Sequence, residues 1–398
     1  MRLFSRFSRG VAIACVVATP NLVLAQNPPL RTISKLDLEY AEPFSCISGI
    51  RELSDGRIIV ADVREKTVQL IDLKKGSSMK IGREGQGPGE WTTPMGLLAA
   101  PGDTTLLWDP QNQRFLTIHP DGSVGKEVKV DLGGGNRGAI MASFPRGADA
   151  MGRLYYQGSS FVVNEGQTTQ ADSAPILRYD RRTAKLDTLA FIQLPKSDIQ
   201  TSGGRGNSMV RVTGPNPFVA QRAWTVAPDG RIALIHPEPY RVEWIAASKA
   251  RTAGPEVRYE RLKLIEADKA PVQTPNCGVS ISFGGGASGE RTQIRTSAVA
   301  GGAAAPPRTD YPEYKPPFLA RYGAPIVAPG GELWVGRSRA PNDPPVYDVF
   351  DARGQLSARV QLPKGTRIAA FGNGTIYLYR MDDDDLVYLQ RYRLDQAR

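Results

Sequence analysis

Short apolar segments separated by Asp-Gly, Gly-Gly or Asn-Gly dipeptides recur along most of the chain. In the first copy, residues 48–53 lead into a turn at Asp55-Gly56, residues 57–62 follow, and residues 68–72 end the pattern. Asp-Gly and Asn-Gly are typical of two-residue hairpin turns, because these residues adopt positive φ at low cost. Each copy therefore predicts a strand, a tight turn, a second strand, a loop and a third strand.

The pattern occurs six times, and the last copy has three strands, one fewer than a four-stranded blade requires. Residues 33–40, upstream of the first copy, alternate in polarity and supply the missing strand. A ring completed in this way has no open edge. We therefore predict an all-β fold: a six-bladed β-propeller of four-stranded antiparallel blades, closed by an N-terminal strand, as a single domain over residues 30–398. The strands predicted for copies two to six are 96–99, 105–109 and 114–119; 139–144, 154–157, 176–180 and 186–193; 223–227, 231–236, 240–245 and 257–264; 324–328, 332–336, 346–351 and 356–362; and 368–371, 375–380 and 386–392.

One glycine-rich connection carries a family resemblance. Residues 82–94 have the sequence GREGQGPGEWTTP, and the strand before them ends in Val60-Ala61-Asp62. This combination resembles the NHL-repeat type of six-bladed propeller, in its exported bacterial form. The resemblance is strong over about residues 46–120, and the later copies keep only the strand pattern. It implies a propeller whose relatives bind proteins, RNA or small ligands, or act as metal-dependent lyases or lactonases, so the fold alone does not decide the function.

The N-terminus has the features of a secretory signal. Residues 1–25 contain three arginines, an apolar segment over 11–24 and a Val23-Leu24-Ala25 cleavage motif. We therefore expect export to the periplasm or the extracellular space, with no transmembrane helix in the mature chain. Acylation of Cys15 in a lipoprotein is the alternative. Two cysteines, Cys46 and Cys277, would remain after cleavage, either as a disulfide or as two buried free thiols.

Extra chain accumulates at one end of the predicted blades. Residues 159–174 fall between the second and third strands of their blade, and residues 196–222 and 266–319 fall between blades. These junctions open on the same face, where binding is expected. The composition of the last insertion favours partial disorder. The net charge of +10 falls to +7 without the arginines of residues 1–25, which suits an anionic partner or is simply a solvated surface.

The ends of the second strands point to that same face. By alignment on the turn glycine they include two carboxylates, an imidazole and two guanidinium groups. Such a ring suits a small anionic or zwitterionic ligand. The alternative for the aspartates is that they accept backbone N–H groups of the following loop. The candidate ligand-binding residues at the pore mouth are Asp62, Asp109, His236, Arg337 and Arg380.

Cofactor chemistry has little support in the sequence. The chain contains two histidines, His119 and His236, which the repeat places at opposite ends of their strands, so a histidine-rich zinc site is not expected. Four consecutive carboxylates, Asp382, Asp383, Asp384 and Asp385, are a weak calcium candidate; otherwise they form a solvated loop. No other cofactor is predicted. Nucleic-acid binding is not expected, because basic and aromatic residues do not interleave.

The resulting functional prediction is an exported binding or scaffold protein that uses its elaborated face for a protein or a small anionic ligand. The alternative is a lyase or lactonase with its active site at the pore mouth, using Asp62, Asp109 and His236. The sequence leaves the identity of the ligand and the oligomeric state open.

Overall fold

The structure is a computed structural model that describes residues 28–129, 145–158, 161–164, 167–196, 198–202, 209–213, 216–270, 279–282, 293–296 and 310–394. The predicted signal peptide, Cys15 and Cys277 lie outside these residues. The described chain forms six sheets of at least four strands each, and apart from two N-terminal strands the strands of every blade are antiparallel and in sequence order. The predicted fold, an all-β six-bladed β-propeller, is confirmed. The resemblance to NHL propellers holds at this coarse level.

Two N-terminal strands belong to the blades at the end of the chain. The first, β1 (Leu30–Thr32), pairs in parallel with the outer strand of blade 5, and β2 (Leu36–Glu39) pairs antiparallel with the last strand of blade 6. Blade 6 therefore receives its fourth strand from the opposite terminus, as predicted. The additional strand on blade 5 was not predicted.

The remaining strands follow the chain around the ring. Blade 1 contains β3 (Ile47–Glu52), β4 (Ile58–Asp62), β5 (Thr67–Asp72) and β6 (Ser77–Ile81), and a parallel pair follows, β7 (Arg83–Glu84) and β8 (Glu90–Trp91). Blade 2 contains β9 (Leu97–Ala100), β10 (Thr104–Asp109), β11 (Arg114–Ile118) and β12 (Val124–Lys129). Blade 3 contains β13 (Pro145–Ala148), β14 (Leu154–Gln157), the inserted hairpin β15 (Phe161–Asn164) and β16 (Gln167–Gln170), then β17 (Ser173–Asp180) and β18 (Lys185–Gln193).

Two further hairpins separate the later blades. The first is β19 (Asp198–Ser202) and β20 (Met209–Thr213), before blade 4 with β21 (Ala223–Val226), β22 (Ile232–Pro237), β23 (Tyr240–Ile245) and β24 (Arg251–Ala253). The second is β25 (Val279–Ser282) and β26 (Gln293–Thr296), between the 3₁₀ helices Glu266–Lys269 and Ala320–Tyr322. Blade 5 contains β27 (Ile326–Val327), β28 (Leu333–Gly336), β29 (Val346–Phe350) and β30 (Leu356–Gln361), and blade 6 contains β31 (Thr366–Phe371), β32 (Thr375–Met381) and β33 (Val387–Arg393).

The first strand of each blade is innermost. Contacts join β31 to β3, β3 to β9, β9 to β13, β13 to β21, and β21 to β27. In an antiparallel blade, the connection from the second to the third strand and the connection that leaves the fourth strand emerge at the same end. We call this end of the ring the insertion face, because all three inserted hairpins lie in such connections. The tight turns lie at the opposite end.

The core lies between neighbouring blades. All five residues of β4 are buried, since that strand is covered on both faces. The glycine-rich connection serves the same packing. Trp91 is buried and its Nε1 donates to the Lys66 carbonyl at 2.9 Å. A Cβ on Gly82, whose φ is +51°, would lie 2.5 Å from the Trp91 ring. Glycine is therefore required where this aromatic ring fills the gap between blades 1 and 2.

One predicted strand is wrong, and another lies outside the described residues. The first strand of blade 3 is Pro145–Ala148, whereas residues 139–144, the predicted strand, lie outside the described residues. Proline suits the first position of a strand because it has no N–H to donate. The outer strand of blade 4 is Arg251–Ala253 rather than 257–264. There the chain turns back at once, with Lys249 N–H donating to the Ala246 carbonyl.

No α-helix occurs among the described residues, and within them no helical segment is long and apolar enough to cross a membrane.

Candidate functional site

Asp62 and Asp109 accept hydrogen bonds from loops next to their strands. The Asp62 carboxylate is buried and accepts backbone N–H groups of Ser45 at 2.8 Å and Arg64 at 2.9 Å, as well as those of the two residues that follow them. Asp109 is buried and accepts from the Thr93 backbone N–H at 3.1 Å and from Asn112 Nδ2 at 2.7 Å. Asp62 thus caps the loop after its strand, the alternative that the sequence left open. Asp109 instead accepts its backbone N–H from the connection before blade 2 and contacts the following loop through the Asn112 side chain.

His236 pairs with a carboxylate of the neighbouring strand. Its Nε2 lies 3.1 Å from Glu243 Oε2, and its side chain is largely buried. Burial lowers the pKa of His236; the Glu243 hydrogen bond opposes this shift, and the charges of Arg222 and Arg241 reinforce it. The hydrogen-bond partners of Asp62, Asp109 and His236 are separate sets, so the described structure does not join the three into one constellation.

The lowered His236 pKa predicts a loss of stability on acidification. The folded pKa lies below the unfolded value of about 6.5, so the unfolded state binds the proton more readily. The contribution of this group is fully present above about pH 6.5 and is lost as the pH falls toward the folded pKa. We expect H236Q to reduce the decrease in unfolding free energy between about pH 7 and 5, measured by urea denaturation. An unchanged decrease in H236Q would contradict the prediction.

The two predicted arginines have carboxylate partners. Arg337 Nη1 lies 3.2 Å from Asp348 Oδ1, which Arg359 also contacts at 3.1 Å. Arg380 Nη2 lies 3.3 Å from Glu39 Oε1, and its guanidinium lies 4.1 Å from the Tyr388 ring centroid. Arg380 is thus paired with Glu39, and Arg337 and Arg359 share the single charge of Asp348, so these guanidinium groups are at least partly compensated.

The remaining predicted groups are a carboxylate run and a cysteine pair. Asp382 Oδ1 accepts the backbone N–H groups of Asp384 and Leu386, which makes the run a capped loop. Within the described residues, no cluster of three or more histidines, cysteines or carboxylates is arranged to hold a metal ion. Cys46 is fully buried and disulfide-bonded. Its predicted partner Cys277 lies outside the described residues, so that pairing stays a prediction.

A different set of arginines surrounds a cavity of about 510 Å³ on the insertion face. We call it the arginine cavity. Arg321 comes from the 3₁₀ helix that follows the last insertion, Arg339 from the connection after β28, and Arg367 from the start of the innermost strand β31. The three meet because connections from blades 5 and 6 and the insertion converge at this end of the ring. The other charged and aromatic side chains that line it are Asp268, Tyr322, Asp343, Lys364 and Tyr379.

Backbone carbonyls and aromatic rings hold these arginines in place. Arg321 donates to the carbonyls of Asp268 and Ala270, both at 2.9 Å, and its guanidinium lies 4.7 Å from the Phe218 ring centroid. Arg339 donates to the Asp343 carbonyl at 2.8 Å. Arg367 donates to the Arg321 carbonyl at 3.1 Å. Within the described part of the chain, each guanidinium group is therefore held by carbonyls or rings and forms no ion pair with a carboxylate.

The electrostatics of the arginine cavity are unfavourable without a ligand. Burial lowers the pKa of Arg339, and the charge of Arg367 contributes to the lowering. Arg321 Nε is buried and has no hydrogen-bond partner among the described residues. Burial raises the pKa of Tyr322, against which the charges of all three arginines act. Clustered, partly desolvated cations of this kind favour an anion in the cavity.

A buried ion pair adjoins the arginine cavity. Lys315 Nζ lies 2.7 Å from Asp268 Oδ1, and both side chains are buried. The same ammonium donates to the Arg339 carbonyl at 2.8 Å. This ion pair therefore connects the two described ends of the last insertion to the connection that carries Arg339.

The sequence prediction missed these arginines because it used one position per blade, the end of the second strand. Arg339 lies three residues beyond the end of β28, and Arg321 lies in the 3₁₀ helix between the last insertion and blade 5. Only the basic character of the connections around blades 5 and 6 could have pointed to them.

Similarity to known proteins is confined to solved structures. Regucalcin, a calcium-binding protein from Agrobacterium tumefaciens, is 12% identical, with 92% of this chain and 96% of that chain covered and a TM-score of 0.38. A gluconolactonase from Xanthomonas campestris is 10% identical, with 92% and 98% covered and a TM-score of 0.42. A virginiamycin B lyase from Staphylococcus aureus is 12% identical, with 90% and 98% covered and a TM-score of 0.35. Identities and TM-scores this low do not indicate a shared ligand or activity.

No protein-family model and no curated protein matches the chain.

Proposed function

We propose that this chain is an exported binding protein whose arginine cavity holds a small organic anion. Export rests on the predicted signal peptide at residues 1–25. The observation that carries the anion is that Arg321, Arg339 and Arg367 surround one cavity and, among the described residues, none of them pairs with a carboxylate. Other arginines have carboxylate partners: Arg337 and Arg359 both contact Asp348.

The guanidinium groups suit carboxylate or phosphate groups in particular. Arginine presents its N–H donors in a planar fork that matches these anions, and charge-assisted hydrogen bonds are stronger than neutral ones. An anion would also satisfy Arg321 Nε and offset the repulsion between Arg339 and Arg367. The hydroxyls of Tyr322 and Tyr379 add neutral hydrogen-bonding groups at the wall. A small organic acid fits this combination better than a simple inorganic ion.

The side-chain contacts give little support to the alternative of a lyase or lactonase. A lyase or lactonase using Asp62, Asp109 and His236 needs those side chains to face a common substrate. The two aspartates hold loops in separate blades, and His236 pairs with Glu243. A scaffold for a protein partner is compatible with the same insertion face, but the arginine cavity favours a small ligand.

The test is calorimetric titration of the purified protein with citrate, inorganic phosphate and galacturonate. We expect at least one of these anions to bind at millimolar concentrations or better. Loss of one charge-assisted hydrogen bond costs about 1.5–3 kcal/mol, so R339Q and R367Q should each weaken binding by roughly 10- to 100-fold. R353Q is the matched control, because Arg353 is exposed in a tight turn at the opposite end of the ring. The proposal is wrong if none of the three anions binds, or if R353Q weakens binding as much as R339Q.

A further inference from the structure

A second cavity adjoins the arginine cavity on the insertion face. Its volume is about 280 Å³, and it lies between blades 3, 4 and 5. We call it the axial cavity, because it reaches the first residues of the innermost strands β13 and β21. Arg321 lines both cavities, so they are neighbours that share one wall. A ligand that extends past Arg321 in one cavity enters the other.

The axial cavity repeats the cationic character of its neighbour. Arg146 begins the inner edge of blade 3, and Arg222 directly precedes the inner strand of blade 4. Neither forms an ion pair or a hydrogen bond within the described part of the chain. Arg146 is exposed to solvent at this edge, and desolvation by the surrounding protein lowers its pKa. A second anionic group is therefore accommodated beside the first.

The other walls of the axial cavity differ from those of a simple anion site. Three amide side chains line it, Gln157, Gln193 and Gln221. Gln157 Oε1 accepts from Trp224 Nε1 at 3.0 Å, which fixes the amide and leaves its NH₂ group to donate. Amides both donate and accept, which is what hydroxyl groups require. Apolar side chains, including Phe318, Leu194 and Pro325, form a further wall.

We infer that the ligand is a short chain of acidic sugars that spans both cavities, an inference that rests on the proposed function. One carboxylate would lie among Arg321, Arg339 and Arg367, and a second beside Arg146 and Arg222. The amides would bind ring hydroxyls, and the apolar wall would contact the C–H faces of a sugar ring. An acidic peptide has carboxylates but no hydroxyl-bearing rings, and inorganic polyphosphate has no apolar face, so the combination favours acidic sugars.

The test compares galacturonate with its α-1,4-linked trimer by calorimetric titration. We expect the trimer to bind the unmodified protein at least about tenfold more tightly, since one further charge-assisted hydrogen bond suffices for that factor. The double variant R146Q/R222Q should lose this gain and keep its affinity for the monomer, whereas R339Q should weaken both. R222Q alone, at an exposed side chain, is a milder variant that should lose part of the gain, and circular dichroism of each variant checks folding.

Each result bears on one of the two proposals. If the trimer binds no more tightly than the monomer, or if R146Q/R222Q keeps the full gain, the extended-ligand inference is wrong while the proposed anion site stands. If tri-aspartate gains as much over aspartate as the sugar trimer gains over galacturonate, the ligand is not an acidic sugar. Failure of citrate, phosphate and galacturonate alike to bind would overturn the proposed function itself.

Discussion

Replacing Lys315 by methionine is expected to lower the free energy of unfolding by about 3–5 kcal/mol, because it leaves the buried Asp268 carboxylate without its counter-ion. The side chains of Lys315 and Asp268 are only 2% and 1% exposed, and their charged atoms lie 2.7 Å apart. Water cannot replace the ammonium at such a site. Urea denaturation of K315M, followed by circular dichroism, measures the loss as a lower transition midpoint.

Two further variants make the Lys315 prediction specific. In K315M/D268N the uncompensated charge is gone, and the asparagine oxygen can still accept the Ile265 backbone N–H that Asp268 accepts at 3.0 Å. We expect this double variant to recover most of the lost stability, since removing both charges of a buried pair is far less costly than removing one. K269M breaks the exposed Lys269–Glu266 pair on the same segment and should cost at most about 1 kcal/mol. Equal effects of K315M and K269M would contradict the prediction.

The Lys315 pair also bears on the arginine cavity. The Lys315 ammonium does not bind the anion itself, but it donates to the Arg339 carbonyl, and the Asp268 carbonyl accepts from Arg321. K315M is therefore expected to weaken anion binding even where the protein remains folded. The weaker anion binding of K315M would result from displacement of the arginines. R339Q removes a contact to the anion directly, so its loss of affinity is the reference for the size of that effect.

The blade pattern could be predicted from sequence because the tight turns are local. A turn such as Asp55-Gly56 needs positive φ at its glycine, +84° here, and only a few dipeptides provide it. The inner strand of blade 3 and the outer strand of blade 4, which were not predicted at their observed positions, adjoin tight turns at residues 149–153 and 246–250 that contain no such dipeptide. Beyond β24, Gly254 packs against the backbone of Gly354, and a Cβ there would lie 2.1 Å from the Gly354 carbonyl oxygen. Such a contact between blades 4 and 5 leaves no trace in the local pattern.

The candidate site was less predictable, because charge pairing across strands is not visible in one sequence. Arg337 and Arg380 occupy the expected positions at the ends of their strands. Their partners Asp348 and Glu39 come from a neighbouring strand and from the opposite terminus. Arg321 and Arg339 showed no pattern in the sequence, yet they are two of the three arginines that surround the cavity and have no carboxylate partner among the described residues. The availability of a charge depends on its neighbours in space, and the repeat pattern specifies only which strand end it occupies.

The ring closure depends on a carboxylate of blade 1 that reaches blade 6. Glu52 accepts the Asn373 backbone N–H at 2.8 Å and the Thr375 hydroxyl at 2.6 Å, and it also accepts the Tyr377 hydroxyl. Tyr377 is fully buried, and burial together with the Glu52 carboxylate raises its pKa. The Glu52 carboxylate thus joins blade 1 to blade 6 by accepting from three donors. Those donors belong to the blade that β2 completes from the N-terminal side.

Glu52→Ala is expected to lower the free energy of unfolding by about 2–4 kcal/mol, because the buried Tyr377 hydroxyl loses its partner and the other two donors are left to water. In a double-mutant cycle, Y377F should partly rescue E52A, since it removes the hydroxyl that the first change leaves unsatisfied, with a coupling of about 1 kcal/mol or more. E332A, at an exposed glutamate beside the corresponding turn of blade 5, should have little effect on urea denaturation. Additive losses in E52A/Y377F would show that Glu52 does not join blades 1 and 6 through Tyr377.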